Sequence, residues 1–587
     1  MSAGVRCEMP FGAQVLGDGR VRFRLWAPAC EQVWLELDDE SLPLTALGDG
    51  FHERLVETQA GCRYRYRIDD QRRVPDPASR LQAGDVHDAS VVVDAADYRW
   101  QHADWRGRPW AQSVIMEVHA GTLGGFDGVR AQLPRLAALG ITAIELMPIA
   151  DFSGRRNWGY DGVLPFAPDT RYGTPAALRA LVDGAHGLGL CVYLDVVYNH
   201  FGPEGNYLGA YAPECFSPDQ HTPWGAALDF NCRPLREFFI SNALYWLSEY
   251  RFDGLRLDAV HAIGERDFLI EFAARLRAAT AGREIHLMLE NLHNDAGLLG
   301  AGFDAQWNDD VHHALHVLLT GEQEGYYADF AGAPAAYLAR CLGEGFAWQG
   351  EPSPALDDRP RGSPSAHLPP SAFVFFLQNH DQIGNRAFGE RLLTLADPAA
   401  WHAALALQLL CPQVPLLFMG EELGATTPFL YFTDFSGELA AAVCAGRRRE
   451  FAGFAAFADA GRRHAIPDPN AETTFTASCP RPGSAAVAEC YRTLLALRQR
   501  ELAPRLAGSV ALAASECAPQ AVCAQWRLGD GSRLQIVANF AAASVPLTPP
   551  HGALLYESTR GAAARLALGE LPAHSTCAYL ESNHRHP

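Results

Sequence analysis

The chain has 587 residues, 48% of them apolar, which is enough to fill two or three separate cores. Its 68 acidic residues face 48 basic ones, every one an arginine, for a formal net charge of -20. That sign argues against nucleic acid or an anionic membrane as partner, and the missing lysine excludes Schiff-base, pyridoxal-anchoring and phosphate-loop chemistry. The 14 cysteines form no Cys-x-x-Cys pair or regular framework. They read as reduced thiols. The first eight residues lack an apolar leader, and no run approaches the roughly 20 apolar residues of a membrane span. A cytoplasmic location is expected.

Residues 1–98 read as short alternating strands at 21–26, 32–37 and 64–68, the pattern of a small β-sandwich. From 99 to 505 strand and helix alternate. Apolar strands are expected at 114–118, 143–148, 191–197, 254–257, 286–289, 303–307, 373–377 and 414–419, and helices at 129–139, 175–188, 234–250 and 265–279. Eight such units predict an α/β fold, a (β/α)8 TIM barrel. The Pro/Gly/Ser-rich stretch 350–370 reads as a long loop over the site. A last helix at 491–502 leads to alternating strands at 521–528 and 534–538, so 506–587 reads as a C-terminal β-sandwich.

Three acids follow barrel strands in order, at the end where the reactive groups of such barrels gather: Asp258, Glu290 and Asp381. Arg256 and Asp258 share one face of their strand, so the arginine should keep Asp258 ionised, as a nucleophile requires. Glu290 follows Leu287-Met288-Leu289 with no basic neighbour in sequence, which makes it the candidate for a raised pKa and for the acid role. Cleavage of a glycosidic bond with retention uses such a pair, roughly 5–5.5 Å apart.

Four motifs, Asp195-Val196-Val197-Tyr198-Asn199-His200, the segment 254–261, Leu289-Glu290-Asn291 and Gln378-Asn379-His380-Asp381-Gln382, give a chain that resembles the α-amylase superfamily of glycoside hydrolases. The resemblance implies Asp258 as nucleophile, Glu290 as general acid/base and Asp381 as the third acid, which holds ring hydroxyls. It also implies that His200 and His380 bind hydroxyls of the sugar attacked, that Arg256 orients Asp258, that Tyr160 stacks beneath that sugar, and that His261, Gln382 and Asn385 contact substrate.

Segments 157–163, 306–313, 322–327, 428–434 and 446–451 are similar to the malto-oligosyltrehalose trehalohydrolases, although Phe435 stands where many of them carry His. This narrower likeness implies hydrolysis of the α-1,4 bond next to the terminal trehalose of malto-oligosyltrehalose, in a pathway with malto-oligosyltrehalose synthase. The first alternative is a branching enzyme, which passes the glucan to a sugar hydroxyl, and such enzymes typically carry Gln at the position of Asp161; the second, a non-catalytic glucan-binding protein, is disfavoured because all three acids are present. Asp309, Asp310, His312 and His313 invite a metal reading, but zinc spacing is not evident, and the likeness implies carbohydrate contact. No metal and no cofactor are expected. Trp158, Trp224, Trp307 and Tyr326 are candidate sugar-stacking rings, and the run Arg447 to Arg449 reads as a solvated helix face.

Overall fold

The computed structural model describes residues 2–3, 9–38, 40–69, 72–222 and 225–582. Its first unit is a two-sheet antiparallel sandwich. One sheet runs Gly12–Val15, Arg20–Trp26, Phe51–Glu57, Thr45–Gly48, and the other Ser90–Val91, Arg63–Ile68, Val33–Leu37, Glu40–Pro43. Period-two alternation builds its core: Val21, Phe23 and Leu25 turn inward and meet Tyr64 and Tyr66, with Phe23 edge-on to Tyr64 at 4.9 Å. Phe11 meets Phe238 edge-on at 5.3 Å, which fastens the sandwich to a barrel helix.

The second unit is a closed barrel of eight parallel strands: Ile115–Val118, Ala143–Leu146, Cys191–Val196, Gly254–Leu257, His286–Leu289, Ala305–Trp307, Phe373–Phe375 and Val414–Phe418. All are buried on both faces, which is why they read as continuous apolar runs. Helices bracket them with ordinary stop and start signals. Thr174 caps Pro175–Gly187 by accepting from the Ala177 N–H, and Gly140, at φ 109°, closes Gly125–Leu139.

Inside the barrel Ile115, Tyr193, Met288, Trp307, Phe376 and Leu416 belong to one packed cluster. Below it lie two half-buried indoles, each tied by its N–H: Trp105 to Asp253 at 2.8 Å and Trp110 to the Ser371 carbonyl at 2.7 Å.

The 350–370 stretch is not simply a loop. Gln349–Ser353 and Arg359–Gly362 form an antiparallel hairpin, anchored where the Gly362 N–H meets the His293 carbonyl at 3.1 Å. The last barrel helix, Ala485–Leu497, ends in a wider turn at Arg498–Leu502; buried Arg498 donates there to the carbonyls of Leu409, Cys411 and Gln413. A five-stranded antiparallel sheet follows, with a short second pair, Val545–Pro546 and Glu570–Leu571, against it. It docks on two barrel helices, where Trp526 donates to the Leu342 carbonyl at 3.2 Å and Thr576 to the Ala403 carbonyl at 2.8 Å. The described cysteines are all free, and among the described residues no helix is long and apolar enough to cross a membrane.

Candidate active site

Arg256 organises the C-terminal mouth of the barrel. Its side chain is 2% exposed and its guanidinium lies 4.3 Å over the Trp307 ring, so its donors can be satisfied only by neighbouring strands. Nη1 donates to both Asp195 oxygens, at 2.9 and 2.8 Å, and to Asp258 Oδ1 at 2.9 Å. Nη2 donates to Glu290 Oε2 at 2.6 Å. Glu290 therefore has a basic partner, contrary to the sequence reading. The partner comes from the adjacent strand, where Leu257 pairs with Leu289.

Asp258 Oδ2 accepts from Asn199 at 2.8 Å, so each of its oxygens has a donor and its orientation is fixed. Ala259, next in the chain, sits at φ 40°, a strained region for alanine. That turn aims its N–H at Glu290 Oε2, 3.0 Å away.

Asp381 lies past the end of its strand, in the first turn of the short helix His380–Gly384. Asn379 caps this helix and Gln382 returns a bond to the Asn379 N–H, a complete capping box. Asn385 fixes Asp381 Oδ1 at 2.7 Å. Burial raises the Asp381 carboxyl above its usual range; His380 opposes the rise and the Glu290 charge adds to it.

His380 stacks on Tyr160 with ring centroids 5.1 Å apart. The Tyr160 hydroxyl lies 2.7 Å from Asp195 and 2.8 Å from His380 Nε2. His200 faces Asn199 Oδ1 at 2.5 Å and the Tyr160 carbonyl at 2.9 Å, and burial lowers its pKa.

A cavity of about 680 Å³ opens from this cluster. Glu290, Asp381, Asp309, His261, His313, Gln382 and Asn385 line one end, while Phe388, Phe451, Phe454, Phe457 and Arg462 line the other. Glu322 lies in the wall, gripped by both terminal nitrogens of Arg386 at 2.7 and 2.9 Å and by His316 at 2.8 Å. These donors hold the Glu322 carboxyl well below the usual range, the His316 bond contributing most. Asp309 is pushed up to about 8 by burial and then by the Glu290 and Asp381 charges.

Of the residues expected to contact substrate, Tyr160, His200, Arg256 and His380 are not among those lining this cavity, and Asp310 and His312 are turned wholly into the protein. Asp310 is buried against Arg361 at 2.7 Å and also accepts from Asn294 and the Ala347 and Trp348 N–H groups. Burial raises its carboxyl and these donors oppose the rise; four donors on two oxygens describe the ionised form. His312 is equally buried and bonds the Leu377 carbonyl at 2.7 Å. Among the described residues no group of three or more His, Cys, Asp or Glu is placed to hold a metal.

The aromatic candidates separate clearly. Trp158 stacks on Phe429 at 5.4 Å and Trp307 lies under Arg256, so both are core; Tyr326, 64% exposed, lines the cavity, and Trp224 lies outside the described residues. Arg447 is not a solvated residue. It is buried, donates to the Gly384 and Arg386 carbonyls, and lies 4.8 Å over the Phe451 ring.

Sequence reasoning missed two acids, Glu117 and Glu145, paired on the first two barrel strands. Both Glu145 oxygens lack a hydrogen-bond partner, and burial drives its carboxyl up, with the Asp195 and Glu117 charges adding to the rise. An acid inside a strand buried on both faces was the signal available for both.

Residues 101–220 match the family described as Alpha amylase, catalytic domain; residues 10–86 match Carbohydrate-binding module 48 and 511–577 match a domain of unknown function, DUF3459. With the closed barrel, this defines a glycoside hydrolase of the α-amylase superfamily. A Salmonella typhimurium crystal structure assigned provisionally as an alpha amylase superimposes with TM-score 0.92 at 42% identity, covering 98% of this chain and 100% of that one. The malto-oligosyltrehalose trehalohydrolase of Deinococcus radiodurans is 41% identical over 83% of this chain and 82% of its own length. That of Rhizobium sp. strain M-11 is 39% identical over 92% and 94%. The chain belongs to the malto-oligosyltrehalose trehalohydrolase family.

Proposed function

We propose that this chain hydrolyses the α-1,4 bond joining a maltodextrin to a terminal trehalose, releasing both, by two displacements at one carbon. The observation that carries the reading is the shared guanidinium. Two acids on the two terminal nitrogens of Arg256 suit the close spacing of a retaining pair better than the roughly 6.5–9.5 Å of an inverting one.

In the first step Asp258 attacks the anomeric carbon while Glu290 gives its proton to the leaving trehalosyl oxygen. Arg256 and the Ala259 N–H occupy Oε2 of Glu290, which leaves Oε1 to carry that proton. In the second step Glu290 takes a proton from water, the oxygen displaces Asp258, and the maltodextrin leaves as its α-anomer. Asp381 and His380 bind hydroxyls of the distorted sugar, and Tyr160 stacks below it. His200, His261, Asp309, His313, Gln382 and Asn385 hold neighbouring hydroxyls.

The cavity is lined by Glu290 and not by Asp258, which supports its use on the leaving-group side. Its aromatic far wall suits the apolar faces of a disaccharide, and its charged wall the hydroxyls. The competing branching reaction is less well supported, since a Corynebacterium jeikeium branching enzyme aligns over only 44% of this chain. Substrate supply requires a malto-oligosyltrehalose synthase acting beforehand, and free thiols support a reducing, cytoplasmic setting. Digestion of malto-oligosyltrehalose beside plain maltodextrin tests the reading. Trehalose should be the main disaccharide product, and equal rates on both substrates would reduce the protein to a general amylase.

A further inference from the structure

Glu117, in the first barrel strand, has no part in the mechanism above, yet both its oxygens are spent on one residue. Oε2 accepts the His380 backbone N–H at 3.0 Å, and Oε1 meets the His380 ring at Nδ1 in a very short contact. Carboxylate and imidazole are 1% and 3% exposed, so water cannot substitute for either. The clamp fixes the ring and the peptide that starts the Asp381 helix.

Proton bookkeeping along the contacts settles the form of the ring. Arg256 donates to both Asp195 oxygens, so Asp195 is an acceptor, although burial pushes its carboxyl up to about 7. The Tyr160 hydroxyl has one proton and gives it to Asp195. It can then only accept from His380 Nε2, which must carry a proton. Nδ1 faces Glu117 Oε1, and opposite an ionised Glu117 it carries one too. A ring protonated at both nitrogens is a cation.

We propose that Glu117 is a positioning residue that holds His380 as a doubly protonated imidazolium, so that a fixed cation stands beside the attacked sugar. The contact chain runs unbroken from Glu117 through His380, Tyr160, Asp195 and Arg256 to Asp258 and Glu290. Every charged or titratable neighbour enters the balance. Glu117, Asp381 and Asp195 favour the cation; Arg256 and His119 oppose it, although burial pushes His119 down to about 4 and so keeps it neutral. Burial alone would discharge the ring, and Glu117 is the largest of the opposing influences, which together leave the His380 pKa raised.

Nitrogen NMR of histidine-labelled protein, with the His380 signal assigned by its loss in His380→Asn, tests this without any substrate. Wild type should show both His380 nitrogens protonated at pH 7.5, and Glu117→Gln should show a neutral ring there. Without Glu117 the ring falls to the ordinary value of about 6.5 or below, so at pH 7.5 the cation is depleted roughly tenfold.

The alkaline limb of kcat in Glu117→Gln should move to lower pH with KM little changed, and Glu117→Asp should restore part of the wild-type profile. The inference rests on the hydrolase reading only for that kinetic arm, which any α-glucan the protein cleaves can serve. A neutral His380 in wild type at pH 7.5 overturns it even if Glu117→Gln does not fold. So does a Glu117→Gln profile parallel to wild type and merely lower. Failure of trehalose release with the NMR result intact would overturn the substrate instead.

Discussion

Asp309 and Asp310 are adjacent in sequence and should respond to the same substitution in opposite ways. Asp310→Asn leaves the 3% exposed Arg361 guanidinium buried without its counter-ion, which costs about 3–5 kcal/mol. In a barrel this large that is a fall on the order of 5–10 °C in apparent melting temperature at a fixed scan rate. Below the transition, kcat should stay within about threefold of wild type, because the side chain touches only protein.

Asp309→Asn does the reverse. With its carboxyl pushed up to about 8, the folded protein holds a proton that the unfolded chain has released above about pH 4. Stability therefore falls as pH rises from about 4 to 8, by at most ~1.4 kcal/mol per pH unit. The side chain is partly open to the cavity, so solvent reduces that slope. Asparagine removes it: melting at pH 4.5 and 7.5 should differ less than in wild type, while kcat/KM drops at least about tenfold, or ~1.4 kcal/mol. Unchanged melting with lost activity in Asp310→Asn would show that Asp310 serves the sugar and that the ion-pair reasoning is wrong.

Asp258→Asn and Glu290→Gln should each reduce turnover by more than about 10³-fold with the melting profile retained, and activity surviving in either would reassign the roles. Early proton NMR of the digest should show the α-anomer of the new reducing end first; the β-anomer would indicate single displacement. Exhaustive chelation should leave turnover unchanged, since no ligand set is placed to hold a metal among the described residues, and activity lost to chelator and restored by one ion would sink the acids-only chemistry. Arg256→Lys should lose about 3–6 kcal/mol of transition-state stabilisation, since one ammonium cannot span three carboxylates that each take a charged bond of about 1.5–3 kcal/mol; kcat/KM within tenfold of wild type would refute this.

The barrel was legible because parallel strands buried on both faces are short apolar runs that no surface loop imitates. All eight expected strands formed, the fourth and fifth with the bounds read and the others one or two residues shorter. The hairpin at 349–362 was not legible, because its paired residues are Gln, Glu, Pro, Ser, Arg and Gly, without an apolar stripe. The Asp381 helix was within reach, since Asn379 and Gln382 stand at capping-box spacing. Three things depend on packing and were hidden. Arg256 finds Glu290 across a strand pair 34 residues apart, Asp310 finds Arg361 51 apart, and Arg447 turns inward because Tyr431 and Phe451 offer it their ring faces. A charge run or a doublet of acids carries no record of which member will be covered.

The two indoles beneath the barrel have a bearing on its chemistry. Trp105 and Trp110 precede the first strand, and the cluster they seal ends at Trp307, the floor on which the Arg256 guanidinium rests. A shortened chain starting at Ser113 would keep all eight strands yet let water rise from below toward that ring. The dielectric under the guanidinium would climb, and its hold on Asp195, Asp258 and Glu290 would slacken with no group at the mouth altered. The dry floor beneath the guanidinium is thus maintained from the opposite end of the barrel, by residues that a trimming based on strand positions alone would discard.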